Sequence, residues 1–167
     1  MVKMLGLELT GASLALRLIL GALLSAGGFL IFYYLPANFV ELASSAIGGE
    51  VPPAASGLLS SLIDPALPLV GLALVAAIFL CAVFRGTKAY GPVTIALSLV
   101  YALYVVLLFH GGAISISVPA DLLGGGLPFG ASLSVSVDMP VLMVLFLVPA
   151  LLGIVKGFLL ILMTRRR

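Results

Sequence analysis

Residues 71–109 read GLALVAAIFLCAVFRGTKAYGPVTIALSLVYALYVVLLF, in which two apolar runs flank a short basic stretch, RGTKAYG at 85–91. Each run approaches the roughly 20 residues that a helix needs to cross about 30 Å of hydrocarbon. The stretch between the runs is short and contains glycine, which is typical of a tight turn. We therefore predict two membrane-spanning helices joined by a basic turn.

The rest of the chain has the same composition. Of its 167 residues, 63% are hydrophobic and 8% are charged, with a mean hydropathy of +1.36. A water-soluble domain could not cover its surface with so few polar residues. We expect one all-α integral membrane domain over residues 1–167, a four-transmembrane-helix bundle with helices at about 12–35, 66–84, 92–109 and 140–163 and outer loops at 36–64 and 110–138.

The cations give the predicted helices an orientation. All eight Lys and Arg residues lie at the N-terminus, in the 85–91 turn, or in one half of the first and fourth helices, and neither long loop contains one. By the positive-inside rule, both termini and the turn face the cytoplasm, so we expect a multi-pass protein of the cytoplasmic membrane. The pI of 8.9 reflects this topology and gives no argument for binding nucleic acid.

Two stretches near the C-terminal third have the pattern of strands. In ISISV (114–118) and SLSVSV (132–137) serine alternates with apolar residues, namely Ile114, Ile116, Val118, Leu133, Val135 and Val137. This period of two is typical of half-buried strands. Because hydrocarbon does not tolerate an open sheet edge, we predict an extracytoplasmic β-hairpin between the third and fourth helices. It would serve as a lid over the helix ends or as an edge for a partner strand.

Two cations fall inside the predicted spans, where ionisable residues are costly and often mark function. Arg17 lies about two turns into the first helix, and Lys156 lies roughly 13 Å along the fourth helix from Arg165. Both side chains could reach the cytoplasmic headgroups by extending along the helix. Alternatively, they contact an anionic or polar companion, such as a lipid phosphate, a quinone oxygen or a carboxylate of another subunit.

Small residues that permit close helix approach recur in the first and fourth predicted helices, namely Gly21, Ser25, Gly28, Gly153 and Gly157. Such strips let two helices pack closely. We therefore expect the first and fourth helices to touch, which would bring Arg17 and Lys156 near each other. Pro149 is expected to kink the fourth helix.

The sequence shows no set of residues typical of an active site or a metal centre. Cys81 is the single cysteine and His110 the single histidine. One histidine cannot form a two-ligand haem site or a multi-ligand zinc site within the chain. Because the chain also lacks a recognisable nucleophile and base or a carboxylate pair, we do not expect an enzyme acting alone.

Two of the predicted helices resemble a known family. RLILGALLSAGG at 17–28 resembles the first helix of DoxX/DoxD-type membrane proteins, in which Arg-Leu-x-Leu-Gly is followed by a further Gly. Residues 71–91 are similar to that family's second helix and its short basic turn. The resemblance implies a four-helix membrane subunit of a quinone-linked redox complex, as in thiosulfate:quinone oxidoreductase, with quinone as the cofactor.

Three functions remain open at this point. The first is an anchoring or accessory subunit of a larger membrane complex, with a quinone-linked respiratory assembly as its most specific form. The second is a structural, homo-oligomeric envelope or pilus-like assembly protein, and the third is a small-solute transporter. Transport is the least favoured, because the predicted helix centres are almost wholly apolar. The expected partners are membrane lipids and other membrane subunits or further copies of the chain.

Overall fold

The computed structural model describes residues 2–4, 7–9, 11–47, 63–119 and 132–165, and the side chains within 13–46, 63–113 and 136–164. Most of the described chain is helical. In chain order the elements are β1 (Val2–Met4), β2 (Leu7–Leu9), α1 (Gly11–Phe29), a π-helical segment (Leu30–Tyr34), α2 (Leu35–Ala37), α3 (Phe39–Ile47), α4 (Leu67–Val83), α5 (Tyr90–Leu108), a 3₁₀ turn (His110–Gly112), β3 (Ala113–Pro119), β4 (Ser132–Asp138) and α6 (Pro140–Arg165).

Three helical spans are long and apolar enough to cross a membrane, and they cover Ser13–Ala37, Tyr90–Leu108 and Pro140–Thr164. The remaining predicted span is α4, which contains no charged residue but has 17 residues. Large apolar side chains on the outer helices are open to the surroundings, and Val141 exposes 82% of its surface. Apolar exposure on this scale is unusual for a soluble protein and suits a helical membrane protein.

The first long helix changes its hydrogen-bonding pattern before it ends. At Leu30–Tyr34 the turns widen to the π-helical pattern, and the Leu35 N–H donates to the Leu30 carbonyl. The cause lies at Pro36, which has no N–H and whose ring crowds the carbonyl four residues earlier, that of Phe32. The Phe32 carbonyl faces α4 instead, where a Cβ atom at Gly71 would collide with it. Only glycine therefore allows this close approach of the two helices.

Each long helix packs mainly on the next long helix in the chain, so that α1 lies on α4, α4 on α5 and α5 on α6. The α1 side of the first contact consists of Gly21, Ser25 and Gly28. A Cβ atom at Gly21 would lie 3.2 Å from the Phe79 ring, and the Ser25 hydroxyl donates to the Val75 carbonyl at 3.5 Å. Small residues thus bring α1 close to α4.

The α5–α6 contact is built around two glycines that face each other. A Cβ atom at Gly91 would lie 3.0 Å from the Gly157 carbonyl oxygen, and the reverse distance is also 3.0 Å. One turn away, a Cβ atom at Gly153 would collide with the Ser98 side chain. Any side chain larger than hydrogen at these positions would push the helices apart.

These contacts correct the expected packing of the first helix against the fourth. The strip of Gly21, Ser25 and Gly28 packs on α4, whereas Gly153 and Gly157 pack on α5. Small residues permit close approach but do not select a partner. Consecutive elements are usually neighbours in space, and here each strip packs on a long helix adjacent in the order of long helices along the chain. Pro149 lies inside α6, which is one continuous helix from Pro140 to Arg165.

The buried core lies between α4, α5 and the π-helical segment. Leu67 and Leu74 of α4 are each 1% exposed, and Tyr104 of α5 is 5% exposed. The Phe32 ring meets the Tyr104 ring edge to face, with centroids 5.3 Å apart and an interplanar angle of 85°. This aromatic contact joins the irregular end of the first helix to the middle of the bundle.

A tight reversal joins α5 to β3. His110, Gly111 and Gly112 have φ angles of 50°, 73° and 101°, so three successive residues are left-handed. Glycine adopts this conformation without steric cost, whereas in histidine the Cβ atom makes it unfavourable. The Gly112 carbonyl accepts a 2.8 Å hydrogen bond from the Met139 N–H, which lies just before α6. The reversal thereby ties the end of α5 to the start of α6.

The structure contains two antiparallel strand pairs among the described residues. β3 pairs with β4 in a register that sets Ile114 opposite Val137, Ile116 opposite Val135 and Val118 opposite Leu133, with serine opposite serine between them. For most of these residues the structure describes the backbone pairing but not the side chain. β1 pairs with β2, with Lys3 opposite Glu8. The sequence did not predict this second pair, because three-residue strands are too short to show a periodic pattern.

Candidate functional site

An apolar cleft lies over α5, with α4 on one side and α6 on the other, and has a volume of about 430 Å³. It exists because α4 and α6 both pack on α5 without packing extensively on each other. Apolar clefts of this size with a few polar groups are typical of small-molecule sites. The apolar lining includes Phe32, Leu74, Ile78, Leu97, Pro149 and Ala150.

The floor of the cleft carries two hydroxyl groups on one face of α5. Thr94 and Ser98 are 5% and 6% exposed. The Thr94 hydroxyl donates to the Tyr90 carbonyl at 2.7 Å, and the Ser98 hydroxyl donates to the Thr94 carbonyl at 2.9 Å. Both protons are therefore used within the helix, while each oxygen keeps lone pairs. The Thr94 and Ser98 hydroxyl oxygens can therefore accept hydrogen bonds from a ligand, but neither hydroxyl has a free proton to donate.

One end of the cleft is basic. The Lys156 ammonium lies 5.9 Å from the centroid of the Tyr90 ring, within the range of a cation–π interaction, and both side chains line the cleft. Among the described side chains, Lys156 has no carboxylate partner. An ammonium with three N–H donors therefore stands beside an apolar cavity and is available to an acceptor on a ligand.

The cysteine of α4 is also part of this site. The Cys81 sulfur lies 3.9 Å from the Thr94 hydroxyl oxygen, and its side chain lines the cleft. In the structure the chain's single thiol, half-buried, faces the cavity.

Arg17 occupies a different place at the same end of the molecule. A Cβ atom at Gly86, in the turn between α4 and α5, would lie 3.5 Å from its Nη2 atom. Its Nη1 atom is buried and has no hydrogen-bond partner within the described part of the chain. Lys156 meets the end of the same turn region at Tyr90. The structure therefore brings Arg17 and Lys156 to one turn, from two helices that do not form the predicted contact.

Sequence reasoning singled out Lys156 but missed the polar residues that α5 contributes to the cleft. Tyr90, Thr94 and Ser98 are spaced four residues apart on α5, and this spacing places them on one helix face. That spacing was the only sequence signal for these residues. In an apolar helix with scattered hydroxyl groups, it does not indicate which face of the helix lines a binding site. Across the described residues, no group of three or more His, Cys, Asp or Glu side chains could hold a metal ion.

Comparison with known proteins leaves the chain without an assigned family. No protein-family model matches it, and neither the curated proteins nor the solved structures include a significant match. The resemblance of residues 17–28 and 71–91 to DoxX/DoxD-type proteins therefore remains an expectation from those residues alone.

Proposed function

We propose that this protein is an anchoring or accessory subunit of a larger complex in the cytoplasmic membrane and that its cleft binds an amphipathic ligand, with a quinone as the best specific candidate. The observation that supports this most directly is the apolar cleft that ends at Lys156 and Tyr90. An apolar cavity with a cation at one end matches a ligand with a long apolar tail and a hydrogen-bond-accepting head.

The proposed topology has four spans, with α4 as the second, and both termini in the cytoplasm. The described cationic side chains lie at or near the turn between α4 and α5, and they are Arg17, Arg85, Lys88 and Lys156. Asp64 and Asp138 precede α4 and α6 at the opposite end. The positive-inside rule then places the turn in the cytoplasm and the β3–β4 pair on the outer side.

The residues of the cleft suit both redox forms of a quinone. The Lys156 ammonium can donate to a quinone carbonyl, and the Thr94 and Ser98 oxygens can accept from a quinol hydroxyl. A quinone bound here would supply two-electron, two-proton redox chemistry. The chain's own contribution is to bind and orient the head group and to hold the tail in an apolar cavity. A partner subunit would then carry the electron donor, which is why we propose an accessory role.

The test begins with purification of the protein from its native membrane in a gentle detergent. Native mass spectrometry and a visible absorption spectrum then identify what accompanies it, and extraction with organic solvent gives the ratio of quinone to protein. We expect a hetero-complex with bound quinone. A colourless homo-oligomer without quinone would contradict the proposal and favour the structural alternative.

A pair of variants separates the cleft from general membrane effects. Lys156→Gln removes the charge at the cleft, whereas Lys88→Gln removes a charge from the same turn region at an exposed residue outside the cleft lining. We expect the affinity for quinone to fall about tenfold in the first variant, the size of one lost charge-assisted hydrogen bond, and the quinone-to-protein ratio to fall with it. The ratio in the second variant should equal that of the wild type.

A further inference from the structure

We propose that a second groove, on the α1 side of the molecule, binds an anionic membrane phospholipid whose phosphate is held by Arg17 and Arg85. This groove lies beside the cleft described above, and the proposal does not depend on a quinone. Four features carry it, namely the shape of the groove, the position of Arg17, the unpartnered guanidinium nitrogen and the apolar walls.

The groove has a volume of about 220 Å³ and is formed by α1, α4 and α5. Leu20 and Leu24 of α1 form one wall, and Leu97 of α5 lies across from them. Ala82, near the end of α4, forms part of the base. Arg85, in the turn just after α4, is the one cationic residue in the described lining.

Arg17 is not one of the residues that line the groove, but its guanidinium lies close to the end that Arg85 lines. It precedes Leu20 and Leu24 by three and seven residues, a spacing that puts all three residues on one face of α1. Its Nη2 atom lies against Gly86, the residue next to Arg85. Two guanidinium groups therefore flank the end of the groove at the α4–α5 turn.

The Arg17 guanidinium lacks a hydrogen-bond acceptor. Its Nη1 atom is buried and has no partner among the described residues. A buried charged donor without an acceptor costs free energy, so this arrangement favours an external anion. Guanidinium groups match the paired oxygens of a phosphate, and basic pockets between helices on the cytoplasmic side are typical sites for anionic lipid head groups.

The apolar walls distinguish a phospholipid from free phosphate. Away from the two arginines the groove continues between leucine side chains, which can contact an acyl chain but offer nothing to an inorganic ion. A lipid with net negative charge, such as phosphatidylglycerol, suits two neighbouring cations better than phosphatidylcholine, whose ammonium offsets the phosphate charge. The proposed ligand is therefore an anionic glycerophospholipid with one acyl chain lying in the groove.

The test uses the full chain, delipidated in detergent and titrated with phosphatidylglycerol or with phosphatidylcholine of the same acyl chains. Native mass spectrometry counts the bound lipids, and the unfolding temperature reports stabilisation. We expect one phosphatidylglycerol to bind in preference to phosphatidylcholine and to raise the unfolding temperature. In Arg17→Gln and in Arg85→Gln its affinity should fall about tenfold, as expected for one lost charge-assisted hydrogen bond.

Two controls keep the result specific. Lys88→Gln removes a nearby exposed cation that lies outside the groove lining, so its affinity for phosphatidylglycerol should be unchanged. Inorganic phosphate replaces the lipid in a second control and should not raise the unfolding temperature. Equal binding of the two lipids, unchanged affinity in both arginine variants, or full stabilisation by inorganic phosphate would overturn the proposal. If Arg17→Gln fails to fold, Arg85→Gln decides the outcome alone.

Discussion

The Lys156 ammonium of α6 lies 5.9 Å from the centroid of the ring of Tyr90, and Tyr90 is the first residue of α5. This contact closes the basic end of the cleft and joins two helices that also meet through Gly91 and Gly157. Tyr90 lines the phospholipid groove as well as the cleft. Ile78, Cys81 and Leu97 also line both, so the two proposed binding sites adjoin each other.

Replacement of Tyr90 tests the contribution of its ring. In Tyr90→Leu the cation–π interaction is lost, and we expect the free energy of unfolding to fall by about 0.5–1 kcal/mol, the range measured for exposed pairs. Tyr90→Phe keeps the aromatic face and should match the wild type. Thermal unfolding in detergent, followed by circular dichroism, gives both values. Equal stabilities of the leucine and phenylalanine variants would show that the ring–cation contact contributes nothing.

Gly71→Ala should be strongly destabilising, because the added methyl group would collide with the Phe32 carbonyl. Backbone must move to relieve the collision, so we expect a loss of about 1–3 kcal/mol, the cost typical of overpacking. Gly27→Ala is the matched control, since a Cβ atom there would have nothing within 4 Å. Denaturant titration of the two variants in the same detergent measures the difference. Equal stability would contradict the close contact between the π-helical segment and α4.

The facing glycines of α5 and α6 should show coupled effects. Gly91→Ala and Gly157→Ala should each destabilise the protein by about 1–3 kcal/mol, because each methyl group would meet the opposite backbone. Once one alanine has separated the helices, the second has less left to disrupt, so the double variant should lose less than the sum. A double-mutant cycle measured by chemical unfolding checks this. Strict additivity would mean that the two residues are not in contact.

Ser98→Ala should separate ligand binding from stability. The hydroxyl donates to a carbonyl of its own helix, so its removal should change the free energy of unfolding by less than about 1 kcal/mol. The same change removes a hydrogen-bond acceptor from the cleft floor, and we expect weaker retention of quinol than of quinone. Quantified extraction of the two redox forms measures this ratio. Equal retention of both forms would exclude Ser98 as a ligand contact.

The positions of the helices follow from composition, because lipid demands long uncharged helices whatever their packing. The helix predicted at 66–84 spans Leu67–Val83 in the structure. The helix predicted at 140–163 spans Pro140–Arg165. The third helix begins at Tyr90, two residues before the predicted start at Pro92, because proline is tolerated in the first turn. In the first outer loop the structure adds α3, which ends at Ile47.

Helix partners could not be predicted in the same way. α4 is apolar on every face, so no polar stripe marks which side meets a neighbour. The glycine strips indicate close contacts but carry no information about the partner, and this is why the expected packing of the first helix on the fourth was wrong. The cleft depends on that packing, so its polar residues on α5 could be recognised only once three helices were in place.

Cys81 offers the most direct test of the central claim, that the cleft binds an amphipathic quinone-like ligand. It is the chain's single cysteine and lines both the cleft and the phospholipid groove, so alkylation by N-ethylmaleimide reports on these two sites without background from other thiols, and the Lys156→Gln variant assigns an effect of the quinone to the cleft. The rate of alkylation of the purified protein is measured with and without a short-chain quinone, in the wild type and in Lys156→Gln. The account predicts that the quinone slows alkylation of the wild type and has a much smaller effect in the variant. An alkylation rate that the quinone leaves unchanged in the wild type would contradict it.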